Sequence, residues 1–200
     1  MKIKLLLLFI VLTACKATIP SNKNASVLFN GENLNGWKTY GIENWFVENN
    51  FLTCENGNDE KFGYLGTTQN YKNFELNLEF KQEHKNDNGG VFIHSTLNGT
   101  KIQGWQVEIG APGHFTGGVH AYDRGWLEKP DPIKDKALKI EKWNHLKIVV
   151  NNDKMIVWLN GTEMSNLTDP KLITQEGVIA LQIHKGDNKL QWRNIKIIEL

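Results

Sequence analysis

Cysteine is nearly missing from this chain: its 200 residues hold two, Cys15 and Cys54. A disulfide-stapled fold is therefore not expected. Net charge is also missing, at +1 formally. So balanced a chain has no general attraction to nucleic acid. Long apolar runs are scarce too. The run at residues 5–12 is too short to span a bilayer as a helix. Few stretches show a long helical pattern. What is present instead is 18 Gly and seven Trp, which point to an all-β domain with many turns.

The front end reads as a targeting segment. Lys2 and Lys4 form a positive start, the apolar run follows, and it ends in Leu12, Thr13, Ala14 and Cys15. This tetrapeptide resembles the lipobox of bacterial lipoproteins, in which the cysteine is acylated and becomes the mature N-terminus. The resemblance implies a lipid anchor at Cys15, and more than one acyl chain makes such an anchor stable. Lys16, with no Asp after the cysteine, is similar to outer-membrane sorting signals, so the domain is expected in the periplasm or at the cell surface. Residues 1–15 are thus a signal, 16–25 a polar tether and 26–200 one domain, long enough for a full core. Cys54 is left alone in a strand-like run. With no base beside it, it reads as a buried structural thiol.

Short strands separated by turn signals fill the rest. Residues 27–29 form the first. Trp37 lies in loop-rich sequence. Residues 45–48 and 51–54 make a hairpin around Asn49 and Asn50. Residues 55–63 read as a loop. Residues 74–80 alternate most cleanly: Phe74, Leu76, Leu78 and Phe80 against Glu75, Asn77 and Glu79. Residues 127–139 read as an exposed excursion. Residues 143–150 and 154–159 form a second hairpin, and 162–176 hold Asp169, Pro170 and one helical turn. Residues 178–184 and 190–198 are the last strands. This spacing predicts a two-sheet antiparallel β-sandwich.

The stretch from Asn86 to Trp126 is the centre of the functional reading. In a strand, alternate side chains share a face. Val91 and Ile93 then oppose Phe92 and His94. Trp105, Val107 and Ile109 oppose Gln106 and Glu108, and His120 shares a face with Tyr122, with Arg124 and Trp126 just beyond. Near the C-terminus Gln182 and His184 alternate with Leu181 and Ile183. Solvated faces are built mostly from Lys, Glu and Thr, whereas these faces carry His, Gln, Tyr and Trp. If the strands pair in one sheet, they converge on one wet cleft. Trp105 goes to the core by alternation. Residues 86–90 could offer oxygen ligands to Ca²⁺, but they lack the full spacing of a calcium loop, and a plain turn is the simpler reading. No metal ligand set is assigned.

Eight segments in order carry a family resemblance: LFNGENLNGW, WFVENNFL, FELNLEFK, NGGVFIHS, GWQVEI, TGGVHAYDRGW, WNHLKIVVNNDKMIVWLNG and GVIALQIH with WRNIKIIEL. Together they resemble the 3-keto-disaccharide hydrolase domain family. The resemblance implies a concanavalin A-like jelly roll with a sugar-binding face, acting on glycosides oxidised to a ketone at carbon 3. Two departures stand out. The family often has Asn-Ser-Gly where this chain has Asn88, Gly89 and Gly90, and Arg where it has His94.

A 3-keto sugar acidifies the hydrogen on carbon 2. A base can remove it, the oxygen on carbon 1 leaves, and water then adds. This needs a base near neutral pKa, an enolate stabiliser and an acid. The expected catalytic residues are Glu108, His120 and His184. The expected substrate-binding residues are Asn88, His94, Gln106, Tyr122, Arg124, Trp126 and Gln182, with Arg124 balancing the enolate charge. Arg193 reads as structural. Glu75 and Glu79 could suggest a glucanase pair. Yet residues four apart on a strand lie about 13 Å apart, against about 5–5.5 Å in a retaining glycosidase, so a solvated face is the simpler reading. The rival function is a non-catalytic carbohydrate-binding module, and a third reading is a structural or adhesion domain.

Overall fold

The computed structural model describes residues 24–57 and 61–200. The signal, most of the tether and Cys15 lie outside the described residues. Fifteen strands form two antiparallel sheets among the described residues. The first sheet contains β1 (Ser26–Val27), β3 (Asn44–Glu48), β4 (Phe51–Glu55), β6 (Phe74–Gln82), β11 (Asn144–Asn151), β12 (Lys154–Leu159), β13 (Thr162–Thr168) and β15 (Lys189–Glu199). Its order is β13-β12-β11-β6-β15-β4-β3, with β1 added on β15. The second contains β2 (Trp37–Tyr40), β5 (Gly63–Thr67), β7 (Gly89–Asn98), β8 (Lys101–Ile109), β9 (Val119–Ala121), β10 (Gly125–Glu128) and β14 (Val178–Ile183), in the order β10-β9-β8-β7-β14-β5-β2.

The core lies between the sheets. Alternation on β6 buries Phe74, Leu76, Leu78 and Phe80, with Ile148 and Leu146 of β11 alongside. Facing them are Val91, Ile93, Trp105, Val107 and Ile109 of the second sheet. Glu75, Asn77 and Glu79 remain half-buried on the outer face. Glu79 pairs with Arg193, whose guanidinium lies 4.1 Å over the Trp143 ring. Both residues are structural, on the sheet that does not carry the cleft. Cys54 is fully buried among core residues, which pushes its thiol far up.

The β3–β4 hairpin turns through Asn49 and Asn50, at φ 51° and 64°. Two left-handed residues in a row are what a tight hairpin turn needs. The structure adds strands where the sequence reads loop. Trp37–Tyr40 is β2 and pairs with β5, whose five residues begin at Gly63. Thr162–Thr168 is β13, an edge strand too polar to show an alternating signal. The first strand stops at Val27, and Leu28 then reaches the Ile195 carbonyl at 2.8 Å. The excursion holds a 3₁₀ turn at Pro132–Ala137, capped by Asp131, and the expected helical turn is 3₁₀ at Pro170–Thr174. No helix among the described residues is long and apolar enough to cross a membrane.

Candidate active site

The second sheet has an outer face of its own. Tyr64, Phe92, Ile102 and Ala180 form a small buried cluster there, separate from the main core. Beside it strand register lines up the polar residues. Phe92 pairs with Gln106, Gly90 with Glu108, Gln106 with His120, and Gln182 with both Gly90 and Tyr64. They line a cleft of about 430 Å³. Gly90 keeps it open: a Cβ there would come within 2.9 Å of the Gln106 amide nitrogen.

Glu108 sits at the centre, only 9% exposed. Asn88 Nδ2 donates to its Oε1 at 3.1 Å, and Gln106 Nε2 donates to its Oε2 at 2.8 Å. Gln106 Nε2 also donates to Gln182 Oε1 at 3.1 Å. This chain of side chains fixes the carboxylate. Burial raises its pKa to about 7, and the Asn88 hydrogen bond opposes that rise. Uncharged amide donors soften the desolvation of a carboxylate but do not neutralise it.

His120 stands on the neighbouring strand, diagonal to Glu108, so the two residues lie about 7–8 Å apart. Its ring meets Trp126 edge to face at 5.5 Å, and no hydrogen bond ties its nitrogens among the described residues. Burial lowers its pKa, which keeps the imidazole neutral near pH 7. Trp126 forms a wall, packed on Phe115 at 5.4 Å, with Lys129 over its ring at 5.5 Å. On the opposite rim His184 packs edge to face on Phe62 at 4.7 Å. Its Nδ1 donates to the Lys185 carbonyl at 3.0 Å. Its backbone N–H holds the Asn88 carbonyl at 2.9 Å.

Eight of the ten predicted residues therefore line one cleft: Asn88, Gln106, Glu108, His120, Tyr122, Trp126, Gln182 and His184. Two do not. His94 falls at a bulge, where register slips between Ile93 and Thr96 and its φ is 47°. A bulge re-aims its side chain. The ring meets Phe74 at 6.0 Å and Trp105 at 5.8 Å, and Nε2 donates to the Lys72 carbonyl at 2.7 Å. Burial lowers its pKa. Arg124 is also outside: Nη2 is 2.6 Å from Asp169 Oδ2, and its guanidinium lies 5.6 Å over Trp105. Asp169 also accepts the Trp105 indole N–H at 2.8 Å. Arg124 thus serves a buried carboxylate, and the enolate-balancing role expected of it has no basis in this cleft.

Tyr64 also lines the cleft, and sequence reasoning missed it. Burial pushes its phenol up to about 12, so it stays a neutral O–H donor. Its only signal was a five-residue run holding Gly63 and Gly66, with no alternation of apolar and polar residues to mark a strand. A turn at residues 84–87 leads into β7: Asp87 N–H donates to the His84 carbonyl at 3.1 Å, Asp87 Oδ2 accepts the His84 backbone N–H at 2.7 Å, and Asn88 is engaged with Glu108. No group of three or more His, Cys, Asp or Glu is gathered for a metal among the described residues.

Residues 24–198 match the 3-keto-alpha-glucoside-1,2-lyase-like domain. The chain belongs to that family. Solved structures agree on the fold. A candidate glycosyl hydrolase from Parabacteroides distasonis is similar at 23% identity and TM-score 0.67, covering 88% of this chain and 100% of that one. A second from the same organism shows 19% identity and TM-score 0.66, over 88% and 94%. The carbohydrate-binding module CBM66 from Bacillus subtilis shows 14% identity and TM-score 0.62, over 82% and 96%. At these identities the likeness is one of fold. No curated protein sequence matches the chain.

Proposed function

We propose that the chain cleaves 3-keto-α-glucosides by elimination across carbons 1 and 2, with Glu108 as the base. The observation that carries this reading is the buried carboxylate at the cleft centre, with a pKa near 7 and two amides fixing its direction. A base tuned near the operating pH combines availability with driving force.

The ketone at carbon 3 makes the carbon-2 hydrogen removable. The Glu108 carboxylate takes that proton, and the C–H electron pair forms an enolate with its charge on the carbon-3 oxygen. The Tyr64 phenol and the Gln182 amide, both lining the cleft, are the donors available to that oxygen. The enolate then collapses and the carbon-1 to oxygen bond breaks. The leaving oxygen takes a proton from the now protonated Glu108, and the neutral His120 imidazole is placed to accept a proton from the water that adds. Water adding across the new double bond completes net hydrolysis. His184, on the rim, is the third candidate acid or base. In this reading Trp126 and Tyr122 offer rings to the sugar.

A second reading is a binding module without turnover, favoured by the fold it shares with CBM66 and by the aromatic walls. The two separate on a substrate deuterated at carbon 2. An enzyme of the proposed kind releases the leaving group more slowly from the deuterated 3-keto glucoside than from the protiated one in single turnovers. A module binds both and cleaves neither. Cleavage at equal rates would leave elimination unsupported.

The localisation reading is likewise a proposal. It rests on the charged start, short apolar run and lipobox ending at Cys15, which together fit a lipoprotein held at the cell envelope.

A further inference from the structure

Next to the cleft lies a second depression of about 360 Å³ that the proposed chemistry does not use. It opens where β7 bulges, with Trp105, Arg124, Lys171 and Gln175 among its walls. His94, which lines it, is held at φ 47°, a strained conformation of the kind that proteins keep at functional sites. Tyr122, 61% exposed, lines both the depression and the cleft. On β8 the depression reaches Gly104 and the cleft Gln106. Two residues of strand are about 7 Å, so the two spaces adjoin.

The charges of the depression are closed on each other. Arg124 Nη2 is 2.6 Å from Asp169, Arg124 Nε is 3.4 Å from Asp123, and Lys171 Nζ is 3.1 Å from Asp123. Two cations face two carboxylates. An anionic ligand would have to displace a carboxylate from its cation. A neutral polyhydroxylated ring would not. Its hydroxyls donate to the remaining carboxylate lone pairs and accept from guanidinium, ammonium and amide N–H groups. The exposed Tyr122 ring offers an apolar face to its C–H face.

We propose that this depression holds the leaving group of the substrate when that group is a neutral sugar ring, with Lys171 and Gln175 among its hydrogen-bonding partners. The proposal rests on the cleft being where the carbon-1 bond is cut. A substrate would then straddle Tyr122, its oxidised ring over Glu108 and its other ring against Arg124 and Gln175.

The test uses Lys171→Ala and Gln175→Ala, both exposed and outside the cleft, with two substrates: methyl 3-keto-α-glucoside and a 3-keto disaccharide of two glucose units. Each variant is expected to raise KM for the disaccharide by about three- to tenfold, the worth of one hydrogen bond, and to leave the methyl glucoside unchanged. Wild type is expected to turn over poorly a disaccharide whose leaving ring carries a carboxylate. Equal effects on both neutral substrates, or none on either, overturn the proposal while leaving cleavage in the cleft intact. If wild type cleaves neither substrate, the reading of the cleft has failed instead. Calorimetry with the unoxidised glucose disaccharide then decides the depression: binding weakened in both variants supports it, and identical binding overturns it.

Discussion

Glu108 shows how one residue carries several consequences. Its folded pKa near 7 stands above the ordinary 4.5, so folding favours its protonated form. The stability this contributes is full below pH 4.5 and is lost as pH rises through 7. The shift corresponds to about 3 kcal/mol at most, as an order of magnitude. His94 and His120, lowered by burial, act the other way: their share is full above 6.5 and falls with acidification. Comparison with Glu108→Gln isolates the carboxyl. Denaturant melts from pH 4 to pH 8 should show wild type losing stability relative to the variant across that window. Parallel curves would mean that the carboxyl titrates as though exposed. The placement of Gln106, Glu108 and Gln182 on the cleft face was legible from alternation alone, because an apolar neighbour at every second position fixes the face. The positions of His94 and Arg124 were not. His94 needs a bulge that Ile93 and Thr96 do not announce. Arg124 answers Asp169, a partner 45 residues away that no local pattern links to it.

At the scale of the element, strands that alternate and apolar runs that stand between clear turn signals were read correctly, even where buried on both faces as in β14, and β2, β5 and β13, which offer neither, were not. β6 is the clearest case. Leu78 is 1% exposed between Leu146 on β11 and the facing sheet. Leu78→Ala should cost roughly 2–5 kcal/mol in denaturant melts; a loss under about 0.5 kcal/mol would place that face in solvent. β5 escaped because Gly63, Tyr64, Leu65, Gly66 and Thr67 are all buried, so no alternation exists. β13 escaped for the opposite reason, being largely polar at an edge. The missed β5 is what hid Tyr64, since the strand that presents it had not been seen.

The whole molecule places its two faces of interest on one sheet. The first sheet closes the core and spends its outer carboxylates on Arg193 and neighbours; the second supplies the cleft and, at its bulged end, the adjoining depression. Sandwich architecture was legible from the spacing of turns, and membership of the family follows from a match over residues 24–198. At this scale the proposed N-terminal signal also makes a prediction. If Cys15 is acylated, Cys15→Ser should shift the protein from the membrane fraction to the soluble fraction on cell lysis, and retention equal to wild type would remove the lipid anchor from the account.

The central claim is that Glu108 in the cleft removes the carbon-2 proton of a 3-keto glucoside. Steady-state turnover of a 3-keto glucoside and of its unoxidised parent, by wild type and by Glu108→Gln, tests it most directly. The account predicts that wild type cleaves the 3-keto compound and not the parent. It predicts that kcat/KM rises with pH through about 7, and that the variant loses about 10²–10⁴ in rate without a lowered melting temperature. Full activity in Glu108→Gln, with the pH limb still in place, would contradict it.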